Sequence, residues 1–350
     1  MSTETTTADR VRTPTQGLDF GRVLRDYAIV WIVLVLFVVL SLTADSFFSF
    51  TNIMNIIDQN TPLMLIAIGT TLVIISGGFD LSAGQVMSVA GVVSAEVVFQ
   101  TANPVLGVLA GIAVGLPLGM VNGLLVAGLK INSFLATLAT GLVFGGLALA
   151  ITDGLSRDLS SNTTFQWLGS NRVGSVPNPV IISVIVFAVL WFVLARTKFG
   201  HYLFAIGSNQ EAARLSGLPI LRVKVAAYAL AGICAALAGV ITTTRTGVGT
   251  IVPGADKYTL DAIAAVVVGG TSILGGRGAM WRTALGVLLL ALVRNAMNLM
   301  SIEPFWQQIL TGLIISVAIV ATAAAGRRSR ASPRSSGMAR PPRCTSGGSG

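Results

Sequence analysis

Ten apolar runs, at 27–44, 61–76, 83–99, 104–127, 134–151, 178–195, 225–244, 259–274, 283–300 and 306–325, leave this 350-residue chain little choice of architecture. A helix needs about 20 apolar residues to cross the hydrocarbon core of a bilayer. Several of the runs lack the polar stripe that a helix covering a soluble core would show. Charged residues make up 11% of the chain, against about 25% in soluble domains. Barrel strands would read as short segments of alternating polarity, and the sequence has none. The expected fold class is all-α: a polytopic integral membrane protein of about ten transmembrane helices, with a possible internal repeat and short broken helices. The runs at 61–76, 83–99 and 259–274 are short for a full span, so these are the ones expected to be tilted, broken or re-entrant.

Placing the N-terminus inside puts eighteen of the 23 Lys and Arg on inner segments. Only Arg157, Arg172, Arg245 and Lys257 then fall outside, and Arg294 lies within a span. Positive charge collects on the cytoplasmic side of membrane proteins, so both termini are expected in the cytoplasm. A net charge of +9 therefore reads as an orientation signal, not as a nucleic-acid interface. Three parts follow: a cytoplasmic segment 1–26, a membrane domain 27–325 and a basic tail 326–350. The tail is rich in Arg, Ser, Pro and Gly and is expected to be disordered. The outer loop 152–178 is polar and charge-balanced, with Trp167 as an interfacial anchor; it either receives an external partner or caps the spans.

The longest polar interruption, 196–224, falls on the inner side. Ser208 and Glu211 have the spacing of a capping box, so a helix can start there. Gly217 can close it in a left-handed cap, and Pro219 prevents it from resuming. The expected helix has about eight residues, roughly 12 Å at 1.5 Å each, too short to span. It is left at the membrane surface, with Ala212, Ala213, Leu215 and Leu218 as a small apolar face and Glu211 and Arg214 as charges, available to a partner.

Little else in the chain points to chemistry. A P-loop needs Gly-Lys followed by Ser or Thr, and none of Lys130, Lys198, Lys224 and Lys257 follows a glycine. One histidine, His201, cannot make a metal site, and two cysteines, Cys234 and Cys344, suggest no disulfide framework. No nucleophile–base pair can be named, so the chain is not expected to be an enzyme. Ion-driven transport needs ionisable groups inside the membrane; the candidates are Asp58, Asp80, Glu96, Asp261 and Arg294, of which the three aspartates lie at segment edges. Gly77, Gly78, Asp80 and Ser82 end one short apolar run and either form a capped turn or break a helix beside a solute path. Asn122, Asn132, Thr137 and Thr140 lie near inner helix ends and offer the same two readings. A second glycine cluster, from Gly269 to Gly278, ends another short run 192 residues after Gly77. Paired glycine-interrupted segments are a pointer to transporters.

Four stretches together resemble the permease subunits of bacterial monosaccharide ABC importers, the ribose/xylose permease family. They are residues 75–84, around Gly77, Gly78, Asp80 and Ser82; 131–140, with Asn132, Phe134 and Thr137; the loop 207–217; and 260–278, from Leu260 to Gly278. They occur in the family's order and extend the resemblance over roughly residues 25–325. The resemblance implies a multi-pass protein of the bacterial cytoplasmic membrane that forms a monosaccharide path. It implies two ABC ATPase subunits, which bind ATP and Mg, an extracytoplasmic sugar-binding protein and a second permease copy in a homo- or heterodimer. No cofactor is expected on this chain. Ser208, Asn209, Glu211, Ala212, Ala213, Arg214 and Gly217 would couple to the ATPase; Gly77, Gly78, Asp80, Ser82, Asn122, Phe134 and Thr137 would line the path. Phe79 departs from the family pattern, being bulkier than the aliphatic residue usual before the aspartate. The alternative reading is an ion-coupled transporter of a small polar solute.

Overall fold

A computed structural model describes residues 27–43, 47–303, 305–313 and 316. The segment 1–26 and the tail 326–350 lie outside them, as does most of the tenth apolar run. The helices are α1 (Ala28–Thr43), α2 (Phe50–Gln59), α3 (Thr61–Ile75), α4 (Ala83–Thr101), α5 (Pro104–Gly123), α6 (Ser133–Thr152), α7 (Thr163–Ser170), α8 (Asn178–Arg196), α9 (Lys198–Ser208), α10 (Gln210–Leu215), α11 (Ile220–Thr246), α12 (Ala255–Val268) and α13 (Met280–Leu299). A π-helical turn, Leu124–Gly128, extends α5, and residues 305–313 are helical. Among the described residues α4, α5 with its π turn, α6, α8, α11 and α13 are long and apolar enough to cross a membrane. The pair α2–α3, bent by 48°, makes a seventh candidate, and α1 is a shorter apolar helix. Of the three short runs, 83–99 lies in a helix long and apolar enough to cross a membrane, whereas the other two form α3, half of the bent pair, and the 14-residue α12.

Helix starts follow local chemistry. The side chains of Asn103, Asn132 and Asn162 each accept a backbone N–H in the first turn of α5, α6 and α7, at 3.1, 2.9 and 2.9 Å. Such caps satisfy donors that the helix itself leaves unpaired.

The bundle is built around α11, which is buried along most of its length and rich in Ala and Gly. Helix α5 runs antiparallel to it and carries Gly107, Gly111, Gly115, Gly119 and Gly123, all buried, at a spacing of four; the last three face α11, Gly111 lies between α11 and α4, and Gly107 faces α4. Without side chains on this stripe the backbones can touch. A Cβ on Gly119 would stand 2.9 Å from the Cα of Ala229, and one on Gly123 would stand 2.6 Å from the Cα of Val225. Hydrocarbon tails are as apolar as leucine, so such van der Waals packing is what holds membrane helices together.

Helix α4 runs parallel to α11: Gly239 meets Met87, and Gly91 meets Thr243. At the end of the bundle where α4 and α11 finish, α7 and two short ladders cap it. β1 (Arg157–Asp158) pairs with β4 (Val248–Gly249), and β2 (Arg172–Val173) pairs with β3 (Val176–Pro177). Phe165 of α7 is fully buried against Val98 and Leu159, so this loop caps the spans, while Trp167 stays exposed. After β4 the chain descends beside α4, with Gly249 against Ala95, the Val252 N–H on the Ser88 hydroxyl at 3.2 Å and Ala255 against Gly84. Helix α12 therefore begins deep in the bundle. Lys257, assigned to an outer loop from the sequence, is instead the third residue of this re-entrant helix.

Candidate functional site

The two glycine clusters end α3 and α12 with the same hydrogen bonds. The Gly77 N–H reaches the Ile74 carbonyl (2.9 Å) and the Gly78 N–H reaches that of Val73 (3.1 Å). The Gly270 N–H reaches Val267 (2.8 Å) and the Thr271 N–H reaches Val266 (3.1 Å). This is the Schellman cap, which needs a left-handed residue; Gly77 has φ +78° and Gly270 has φ +91°. The matching positions are Gly77 and Gly270, so the sequence spacing of 192 from Gly77 to Gly269 is corrected by one residue.

After the first cap the chain is held by a buried polar network. The Asp80 carboxylate accepts from the Ser82 N–H (2.9 Å) and hydroxyl (2.7 Å). The Ser82 hydroxyl accepts from the Asn122 amide (2.7 Å), and the Asn122 carbonyl accepts from the Thr140 hydroxyl (2.6 Å). Thr137 accepts the Leu81 N–H at 3.0 Å, and Ser133 accepts the Phe79 N–H at 3.1 Å. The Tyr228 hydroxyl donates to the Phe79 carbonyl at 2.9 Å. Gly78 leaves room for that hydroxyl, which would lie 2.6 Å from a Cβ there. Asp80, Ser82, Asn122 and Thr137 are thus brought together, their polar groups engaged with one another and with backbone. Phe134 stands apart, exposed at the start of α6. Tyr228 and Ser133 were missed as members; a tyrosine among alanines in an apolar helix is the signal, since a buried hydroxyl needs a partner.

The polar interruption holds two helices, α9 and α10, not one. The expected capping box is corrected. Ser208 is the last residue of α9, donating to the Phe204 carbonyl at 2.7 Å, and Asn209 caps α10 by accepting the Ala212 N–H at 3.0 Å. Glu211 bonds Arg214 Nε instead, at 3.1 and 3.2 Å. That guanidinium holds the Glu211 carboxyl below the usual carboxylate range. Helix α10 has six residues, shorter than the expected helix because it starts after Asn209, and it closes at Gly217 (φ +75°), as expected. Ala213 is buried and Leu218 half-buried in the core beneath, which corrects their assignment to the exposed face. They root the helix, leaving Ala212, Leu215, Glu211 and Arg214 exposed. Lys224 Nζ donates to Gln210 Oε1 at 2.7 Å and ties α10 to α11.

Gly207, at the end of α9, joins the surface helix to the Gly77 cap and to Gly276 of the second glycine cluster. A Cβ there would overlap the Ile75 carbonyl and stand 2.6 Å from Gly276 N. Gly276 N–H donates to that same Ile75 carbonyl at 2.9 Å, and a Cβ on Gly275 would stand 2.9 Å from the Cα of Gly77. Three glycine segments distant in sequence meet at one point.

The ionisable candidates all have partners. Asp58 pairs with Arg245 (2.8 Å), Glu96 with Arg157 (2.7 Å) and Asp261 with Arg294. Arg294→Leu would leave the buried Asp261 carboxylate uncompensated. Breaking a buried pair from one side costs about 3–5 kcal/mol, so its thermal unfolding in detergent should fall well below that of the parent. An unchanged midpoint would refute a stabilising role.

Comparison with known proteins adds to this geometry. Residues 52–319 match the family described as the permease component of the branched-chain amino acid transport system. The chain is 39% identical over 313 residues to the ribose import permease protein of Bacillus subtilis, covering 89% of this chain and 97% of that one. It is 37% identical over 290 residues to the ribose import permease protein of Escherichia coli K12, covering 82% and 90%. It is 36% identical over 307 residues to the L-arabinose transport system permease protein of the same strain, covering 88% and 93%. No solved structure matches.

Proposed function

The chain belongs to the permease-component family of branched-chain amino acid transport systems, and on that premise we propose that it carries a monosaccharide through the bacterial inner membrane, driven by a separate ATPase. The support for a sugar is the likeness to ribose and L-arabinose permeases. In this reading the chain forms the path and does no covalent chemistry. ATP and Mg belong to the partner ATPase subunits, an extracytoplasmic sugar-binding protein delivers the solute, and a second permease copy, identical or related, completes the pair. Both termini lie in the cytoplasm, with 27–325 as the membrane domain between the segment 1–26 and the tail 326–350.

The observation that carries the coupling role is α10 itself. It is a short capped helix with one side rooted by Ala213 and the other exposing a charge pair, and it follows directly on Gly207 of α9, which abuts the Gly77 cap and Gly276. A rigid element of this kind can pass the closure of a partner domain into packed helices as a rigid-body push. Asn209 and Gly217 set its two ends, and Ala212, Glu211 and Arg214 meet the ATPase. The path residues Gly77, Gly78, Asp80, Ser82, Asn122 and Thr137 form the element that is moved, with Phe134 at its exposed edge.

Glu211→Lys and Arg214→Glu are expected to abolish co-purification of the ATPase, or its stimulation by solute, while membrane insertion stays normal. Wild-type uptake in both variants would sink the coupling role. Uptake into liposomes driven by a proton or sodium gradient, with no ATPase present, would replace the whole reading with ion coupling.

A further inference from the structure

Lys224 and Arg245 bracket twenty residues of α11 that carry no charge. At 1.5 Å per residue they are about 30 Å apart, the thickness of the hydrocarbon core. Helix α4 lies parallel to α11 with Met87 against Gly239, so Gln85 is level with about residue 237, within roughly 5 Å of the middle of that slab. There the Gln85 amide donates to Asp256 Oδ1 at 2.8 Å, and Asp256 is exposed. The pair owes its depth to the re-entrant segment, which brings the start of α12 against Gly84, whose N–H donates to the Thr259 hydroxyl at 2.8 Å. On the facing helix α6, Gly145 lies beside Gln85, and Gly146 has nothing within 4 Å of where a Cβ would stand.

An exposed acidic side chain at this depth cannot face lipid; such groups line water-filled cavities or solute pathways. We infer that the Gln85–Asp256 pair lines the solute path and contacts the passing solute. Their unused acceptors, Gln85 Oε1 and Asp256 Oδ2, suit the hydroxyl donors of a neutral polyhydroxylated molecule. The solute class rests on the reading of the chain as a sugar permease, whereas the wet face does not.

The test uses the full chain with Cys234→Ala and Cys344→Ser, assembled with its ATPase and binding protein in liposomes. Gln85→Cys and Asp256→Cys are treated with a charged, membrane-impermeant thiol reagent, without nucleotide and with ATP trapped. Ile185→Cys, on the exposed face of α8, is the lipid-facing control. Both test positions should label and the control should not. If neither labels in any nucleotide state, or the two copies cross-link through position 85 without reagent access, the inference fails. Labelling that ignores nucleotide would preserve the wet face but count against the ATP-driven reading, so the two failures are distinguishable. Asp256→Asn, which keeps the shape, should raise the KM for ribose uptake about tenfold, the scale of one charge-assisted hydrogen bond. Unchanged KM in Asp256→Asn would remove Asp256 from solute contact.

Discussion

Gly115→Leu should lower the thermal midpoint and the folded yield sharply. A Cβ at this position already overlaps the Gly232 carbonyl and stands 2.5 Å from the Ala236 side chain, and leucine adds three more carbons. Both obstacles belong to α11, the helix around which the bundle is built, so the strain cannot be relieved by turning one side chain. Overpacking a tight core costs about 1–3 kcal/mol and sometimes more; with backbone as the obstacle the cost should reach the upper end or exceed it. Total stability of a protein is only about 5–15 kcal/mol. The measurement is the monodisperse yield and thermal midpoint in detergent. Gly146→Leu is the matched control, a glycine on α6 with open space around it, and should shift stability by no more than about 0.5 kcal/mol. Equal behaviour of the two variants would show that the glycine stripe does not set the α5–α11 contact.

Gly207→Val should separate docking from transport. The valine would collide with the Ile75 carbonyl and Gly276, pushing the end of α9 away from the Gly77 cap and the second glycine cluster. The exposed face of α10 lies beyond that point and keeps Glu211, Arg214 and its Asn209 cap. ATPase co-purification is therefore expected to stay within about twofold of the parent, whereas uptake falls at least tenfold, a loss of about 1.4 kcal/mol or more in coupling. Parallel loss of both would mean that the junction merely holds α10 in place. Unimpaired uptake would mean that force does not pass through it.

Much of the local structure was legible. Gly217 as a helix end and the Gly77 turn follow from backbone freedom within a few residues, whereas the asparagine caps at Asn103, Asn132, Asn162 and Asn209 went unread although they act over the same range. The capping box at Ser208 went wrong for an equally local reason. Asn209 competes for the same cap, and Glu211 has a stronger partner in Arg214 three residues on. The split of 196–224 into two helices was hidden because α9 buries Leu203 and Ile206 against α3 and α11, although it lies in a stretch too polar to read as a span. The descent of 249–255 was missed because sequence counting assumes that each polar stretch stays on one side. Its N–H groups are instead satisfied inside the bundle, as by Ser88.

What the chain determined by itself is the class of environment and the start and stop of most helices. Burial in lipid rewards apolar composition wherever it occurs, and caps act over one turn. Only the tertiary structure decided that Gly77, Gly207 and Gly275 share one point, that Asp261 meets Arg294, and that the half-buried Gln85 meets the exposed Asp256. In a bilayer, lipid-facing and core-facing positions are both apolar, so the pattern that orients helices in water is missing. Which faces meet is settled by shape, through backbones brought close at small residues.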